Sequence, residues 1–73
     1  MYYNDVYYQV HTKEGKIFEP QFKYEQNAIL FNKFLSNRDN EKYLVKKIYC
    51  VTGLPEFQDS IILEKLREIG YEN

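Results

Sequence analysis

Cys50 and His11 are the side chains that could support nucleophilic catalysis, a thiolate attacking while an imidazole takes up its proton. The chain has one of each. A Cys–His pair on neighbouring strands is a geometric option, but Cys50 lies among Ile48, Tyr49 and Val51, and cysteine in such company usually packs inertly. His11 falls on the polar side of an alternating run and reads as a surface histidine. No HExxH, CxxC or calcium-loop spacing occurs, so no metal site is expected. The carboxylates Glu56, Asp59, Glu64, Glu68 and Glu72 are interspersed with Lys65 and Arg67, the pattern of a solvated helix surface rather than of an acid/base pair. The stretch "VTGLP" forms neither a phosphate cradle nor a dinucleotide fingerprint. No catalytic, cofactor-binding or metal-ligating residue is assigned, and an enzyme is the least favoured class.

Binding is the alternative, and size and composition frame it. A chain of 73 residues reads as one domain, 1–73, because so short a polymer buries only about 60% of its unfolded surface and cannot divide that into two cores. Its 44% hydrophobic and 29% charged residues are spread along the chain, which is globular composition. Ten basic residues against eleven acidic ones give a net charge of −1, so neither the basic excess of a nucleic-acid binder nor the acidic excess of a DNA mimic stands out. A lone cysteine rules out an intramolecular disulfide and suits a reducing cytoplasm. Neither a leader-like start nor a run of about 18 apolar residues is present, so the chain is expected to be soluble, cytoplasmic and unprocessed.

Hydrophobic spacing then places the elements. Val6, Tyr8 and Val10 alternate with Tyr7, Gln9 and His11, and beyond "TKEGK" Phe18, Pro20, Phe22 and Tyr24 alternate with Glu19, Gln21 and Lys23. Two strands and a hairpin are predicted. A three-residue loop, Lys13-Glu14-Gly15, sets Val10 opposite Phe18, Tyr8 opposite Pro20 and Val6 opposite Phe22, with glycine in the left-handed closing position. Pro20 lacks an N–H and makes the second strand an edge. From Glu25 to Leu35, Ala28, Leu30, Phe31, Phe34 and Leu35 share a helical face that Ile29 leaves, and "SNRDNEK" follows as a loop. "YLVKKIYCV", Tyr43 to Val51, reads as the third strand, antiparallel beside the first. A second helix begins at Pro55 or is capped later by Asp59, carries a stripe of Ile62, Leu63, Leu66 and Ile69, and stops at Gly70-Tyr71. The expected fold is α+β, a three-stranded antiparallel sheet of order 2-1-3 with ββαβα topology and a helix packed on one face.

The open face of that sheet is the candidate contact surface. With Leu44, Ile48 and Cys50 toward the helix, Val45, Lys47, Tyr49 and Val51 join Tyr7, His11, Ile17 and Lys23 outside. The opposite phase of the third strand, which turns Tyr49 inward, carries a lysine inward just as this one does. Phe57 and Ile61 lie off the second helix's apolar stripe. Eight tyrosines and five phenylalanines supply large contact area at little rotamer cost. The candidate partner-binding residues are therefore Tyr7, His11, Lys47, Tyr49, Phe57 and Ile61. Tyrosine also suits a half-buried strand with no partner at all, and a second copy of the chain could cover the same face. "VYYQV" resembles the first RNA-contacting strand of RNA-recognition motifs, but "KKIYCV" lacks their glycine-aromatic second motif, so nucleic acid ranks behind protein.

The arrangement "VYYQVHTKEGKIFEPQFKYEQNAILFNKFL…YLVKKIYCV" resembles small phage-encoded ββαβ proteins, among them inhibitors of host RNA polymerase and anti-CRISPR proteins. The resemblance covers about two thirds of the chain and lies in length, pattern and residue bias. It implies a non-enzymatic inhibitor that occludes a larger host protein or complex, and it assigns no functional residue; from the residues themselves neither a cofactor nor a membrane partner is expected.

Overall fold

Alternation of apolar and polar side chains builds the first strand, β1 (Asp5–His11), and a helix α1 (Glu25–Asp39), a second strand β2 (Leu44–Cys50) and a helix α2 (Asp59–Glu68) follow. The computed structural model describes residues 5–50 and 56–71. β1 and β2 pair antiparallel over their full length, Asp5 opposite Cys50 and His11 opposite Leu44. The fold is α+β, with two strands and two helices.

The expected three-stranded sheet of order 2-1-3 is not formed. Its first turn is present: Gly15 has φ 100, its N–H donates to Thr12 O at 3.0 Å, and Thr12 N–H donates to Lys16 O at 2.8 Å. Beyond the turn, the predicted second strand touches β1 only at two isolated bridges, His11–Ile17 and Tyr8–Phe22. Between them β1 advances three residues while the facing segment advances five, so two residues are in excess. The excess falls around Pro20, which has no N–H to offer a ladder. Gln9 compensates: its Nε2 donates to Phe18 O at 3.1 Å and to Glu19 O at 3.2 Å, and its side chain is buried. Phe22 consequently sits opposite Tyr8 instead of Val6.

The core lies on one side of the ribbon. Val10, Phe22, Ala28, Phe31 and Leu35 are buried together, with Tyr8, Phe18, Phe34, Tyr43, Val45 and Ile62 packed around them. The Phe22 and Phe31 ring centroids stand 5.5 Å apart, and Phe18 meets Tyr43 edge-on at 5.1 Å. α1 outruns its predicted end at Leu35 by a full turn: Ser36 to Asp39 are helical, and Asn40, in the left-handed conformation at φ 53, stops the helix with its N–H on Ser36 O. Its last turn is polar throughout, with Asn37 and Arg38 exposed and Ser36 and Asp39 bonded to Tyr43, so residue type alone reads as a loop.

α2 begins at Asp59, with Gln58 and not Asp59 in the cap position and no side-chain cap bond; Pro55, Val51 and the rest of "VTGLP" lie outside the described residues. The helix ends as expected. Gly70 has φ 83, its N–H donates to Arg67 O at 3.0 Å, and Tyr71 N–H donates to Leu66 O at 2.8 Å, a Schellman closure. The Tyr71 ring then meets Phe34 edge-on at 5.5 Å and holds α2 to α1.

The other end of α2 is latched by hydrogen bonds. Gln58 N–H donates to Gln21 O at 2.9 Å, and Gln21 N–H donates to Gln58 Oε1 at 3.3 Å. The Asp59 carboxylate accepts from Lys23 N–H at 2.8 Å, Tyr24 N–H at 3.3 Å and Asn27 Nδ2 at 2.7 Å. A carboxylate at the start of α1 satisfies donors that the helix cannot and complements its dipole. The segment between the turn and α1 is therefore held by β1 on one side and by Gln58-Asp59 on the other.

Candidate interaction surface

The phase of β2 decides which residues share a face. Val45 packs on the core beside Tyr43, whereas Leu44 is 41% exposed, so the expectation that Leu44 and Ile48 face the helix is reversed. The choice is made at the strand's entrance. Asn32 Nδ2 donates to Tyr43 O at 3.1 Å, Ser36 Oγ donates to Asn32 Oδ1 at 2.9 Å, and Tyr43 N–H reaches Ser36 Oγ at 3.4 Å. Tyr43 also donates its hydroxyl to Asp39 Oδ2 at 2.8 Å, while Arg38 grips the same carboxylate at 2.7 and 3.1 Å. The Arg38 and Tyr43 hydrogen bonds hold the Asp39 carboxyl below the usual carboxylate range. Conversely, the bond to Asp39, then desolvation, raises the Tyr43 phenol, and the same carboxylate raises the Arg38 guanidinium.

With Tyr43 and Val45 inward, cross-strand pairing places Tyr7 opposite Ile48, Gln9 opposite Lys46 and His11 opposite Leu44 on the outer face. Ile17 joins that face through its bridge to His11 and is 44% exposed. The outer face thus holds three rows, Ile17–His11–Leu44, Gln9–Lys46 and Tyr7–Ile48. His11 Nδ1–H donates to Thr12 O at 2.9 Å, which fixes the ring and leaves Nε2 as its other polar atom. Among the described elements, α1 packs on the ribbon's inner side and α2 packs on α1, so no helix lies over this face.

The predicted site residues are therefore divided. Tyr7 and His11 share the outer face. Tyr49 pairs with Val6 on the inner face, so it does not stand beside Tyr7; it is nevertheless 63% exposed, because α1 covers only the Tyr43–Val45 end of β2. Lys47 shares that face, with Nζ 5.8 Å from the Tyr49 ring centre. The anticipated burial of a lysine by either phase is avoided in the same way. Phe57, half-buried, precedes α2, and Ile61 is exposed on α2 away from Ile62 and Leu66. Leu44, Lys46 and Ile48, which the expected phase had turned elsewhere, replace Lys47 and Tyr49 on the outer surface.

The same register separates Cys50 from His11. Their partners Asp5 and Leu44 mark opposite ends of the ribbon, about 20 Å apart at strand rise, so no Cys–His pair forms. Among the described residues, no group of three His, Cys, Asp or Glu side chains converges as a metal site would require, and no helix is long and apolar enough to cross a membrane. No family model, no curated protein and no solved structure matches the chain.

Proposed function

We propose that the chain is a non-enzymatic protein-binding domain that docks through the outer face of the β1–β2 ribbon, around Tyr7, Ile17, Leu44 and Ile48. The observation that carries this reading is that side chains from three adjacent chain segments share one face that neither helix covers. Isolated exposed apolar residues mean little, but here Ile17 and Leu44 flank His11 and Tyr7 stands beside Ile48 beyond the Gln9–Lys46 row, a mixed apolar and polar face of the composition that suits a contact with another protein. The rigid core on the other side suits a domain that acts by occupying a surface of a larger cytoplasmic protein, the mode of the small phage inhibitors it resembles.

Binding to nucleic acid is less well supported. It would draw on Lys23, Lys46 and Lys47, yet Lys46 and Lys47 lie on opposite faces of β2 and Lys23 Nζ is drawn over the Tyr24 ring at 5.7 Å. Cations dispersed in this way do not line one phosphate track.

The test is capture of a partner from a lysate of the encoding organism by the wild-type chain and by Tyr7→Ser/Leu44→Ser. The double variant should lose the captured protein while its circular dichroism spectrum and melting midpoint stay near wild type. Tyr49→Ser, on the other face, should retain it. Equal capture by the wild type and the double variant would overturn the assignment of this face, and salt-sensitive oligonucleotide binding in place of protein capture would overturn the class.

A further inference from the structure

We propose that the outward edge of β2 is a strand-addition site for an extended, acidic segment of a partner protein. The inference rests on the reading of the domain as a protein-binding module and names the conformation and charge of what it takes. Hydrogen bonding defines the edge. Tyr8 and Phe22 exchange N–H···O bonds at 2.9 Å, and Phe18 N–H donates to Val10 O at 2.8 Å, so Tyr8 and Val10 of β1 turn their backbone groups to the segment before α1. Backbone groups alternate sides along an antiparallel strand. Tyr7, Gln9 and His11 therefore bond to Ile48, Lys46 and Leu44, and the intervening Val45, Lys47 and Tyr49 aim their N–H and C=O groups away from β1.

Tyr43, two residues earlier on the same edge, is closed by Asn32 and Ser36 of α1. That closure ends there. Among the described residues no backbone bond reaches Val45, Lys47 or Tyr49 from outside β2, which leaves an open edge of about 13 Å, enough for a five-residue strand. An edge of this kind gives affinity through its backbone and selects through flanking side chains.

Charge supplies the selection. β2 carries Lys46 and Lys47 and no acidic residue, and the pleat sends Lys46 to the outer face and Lys47 to the inner one. An incoming strand meets a cation on each face. Adjacent glutamates or aspartates, which also point to opposite faces, would pair with both, whereas a second β2 paired about its middle would oppose lysine to lysine. The same lysines discourage indiscriminate edge pairing, so they act as a filter on the partner.

The test is a nuclear magnetic resonance titration of the full ¹⁵N-labelled chain with blocked peptides. One carries two adjacent glutamates flanked by valine and threonine, a second has lysines for the glutamates, and a third has proline at the centre. The glutamate peptide should shift the amides of Val45, Lys47 and Tyr49 and slow their hydrogen exchange at least tenfold, while the other two leave them unmoved. Lys46→Glu/Lys47→Glu should invert the preference. Silence at those amides at millimolar peptide, or an equal response to both charges, overturns the proposal. Shifts that depend on protein concentration without peptide assign the edge to a second copy and overturn it equally. A response confined to Tyr7, His11 and Leu44 overturns the edge while leaving the outer-face reading intact.

Discussion

Replacing Asp59 by alanine removes the acceptor that joins the start of α2 to the start of α1. Three donors lose their partner: Lys23 N–H, Tyr24 N–H and Asn27 Nδ2. Hydrogen bonds to a charged group contribute about 1.5–3 kcal/mol each where the donor cannot find water. The two backbone donors lie at exposed positions and regain water, so only the 2.7 Å Asn27 bond retains most of that value. Adding a few tenths for the carboxylate at the α1 dipole gives a loss of about 2 kcal/mol. A domain of this size has an urea m-value near 1 kcal/mol/M, so the midpoint should fall by roughly 2 M, and the melting temperature by about 10 °C. Asp59→Asn, which keeps an acceptor but not the charge, should lose about half as much. A cycle with Asn27→Ala should return a coupling of at least about 0.5 kcal/mol. Urea denaturation followed by circular dichroism measures the wild type and the four variants. A midpoint change below about 0.3 M for Asp59→Ala with m unchanged, or strict additivity with Asn27→Ala, would refute the latch.

Gly70→Ala should cost about 1 kcal/mol purely through backbone strain, since φ is 83 and an added Cβ meets no atom within 4 Å; thermal melts of the pair decide it. Gln9→Leu should cost about 1–3 kcal/mol by stranding the Phe18 and Glu19 carbonyls, read as a lowered urea midpoint with faster hydrogen exchange at Phe22. Asp39, whose carboxyl is lowered in the fold, contributes stability above its unfolded value that disappears as pH falls through the folded one; Tyr43, whose phenol is raised, contributes stability below its unfolded value that disappears as pH rises through the folded one. Stability should therefore drop below about pH 4 and above about pH 10, and in Asp39→Asn the Tyr43 phenol, followed by its own ring resonances, should ionise at lower pH than in the wild type.

Much of this fold is local chemistry and was legible in the residues. Val6-Tyr8-Val10 alternation marks β1, Gly15 closes its turn, β-branched and aromatic residues mark β2, and Gly70-Tyr71 stops α2. What was not legible depends on contacts distant along the chain. Either alternation of "YLVKKIYCV" carries one lysine inward, and the choice is made by Asn32, Ser36 and Phe18 gripping Tyr43. Pro20 marks an edge strand by residue type, but the two-residue excess that breaks the pairing there is not visible in the sequence, because it rests on the Gln9 side chain reaching Phe18 O and Glu19 O. Asp59 read as one more solvated carboxylate on a helix, because nothing near it in sequence shows that Tyr24, 35 residues away, needs an acceptor. The candidate site suffered most, since reversing β2 exchanges every outward side chain on that strand at once.

The placement of β1 accounts for where contact surface remains. Its inner side chains are spent on Phe22, Phe31 and Leu35, and one backbone edge is spent on the bulged segment that Gln58 and Asp59 hold from behind. Its other edge is spent on β2, whose own entrance is closed by α1 at Tyr43. Among the described elements, that leaves the outer face and the β2 edge beyond Val45, which meet at Lys46 and Ile48. A partner strand added along that edge would extend the outer face by one more row next to Leu44 and Ile48, so backbone pairing and side-chain contact would reinforce each other instead of competing. Variants of Tyr7 and of Lys46 should then be cooperative toward a protein partner and additive toward the short glutamate peptide, which is too small to reach Tyr7. A double-mutant cycle measured with each ligand separates the two cases.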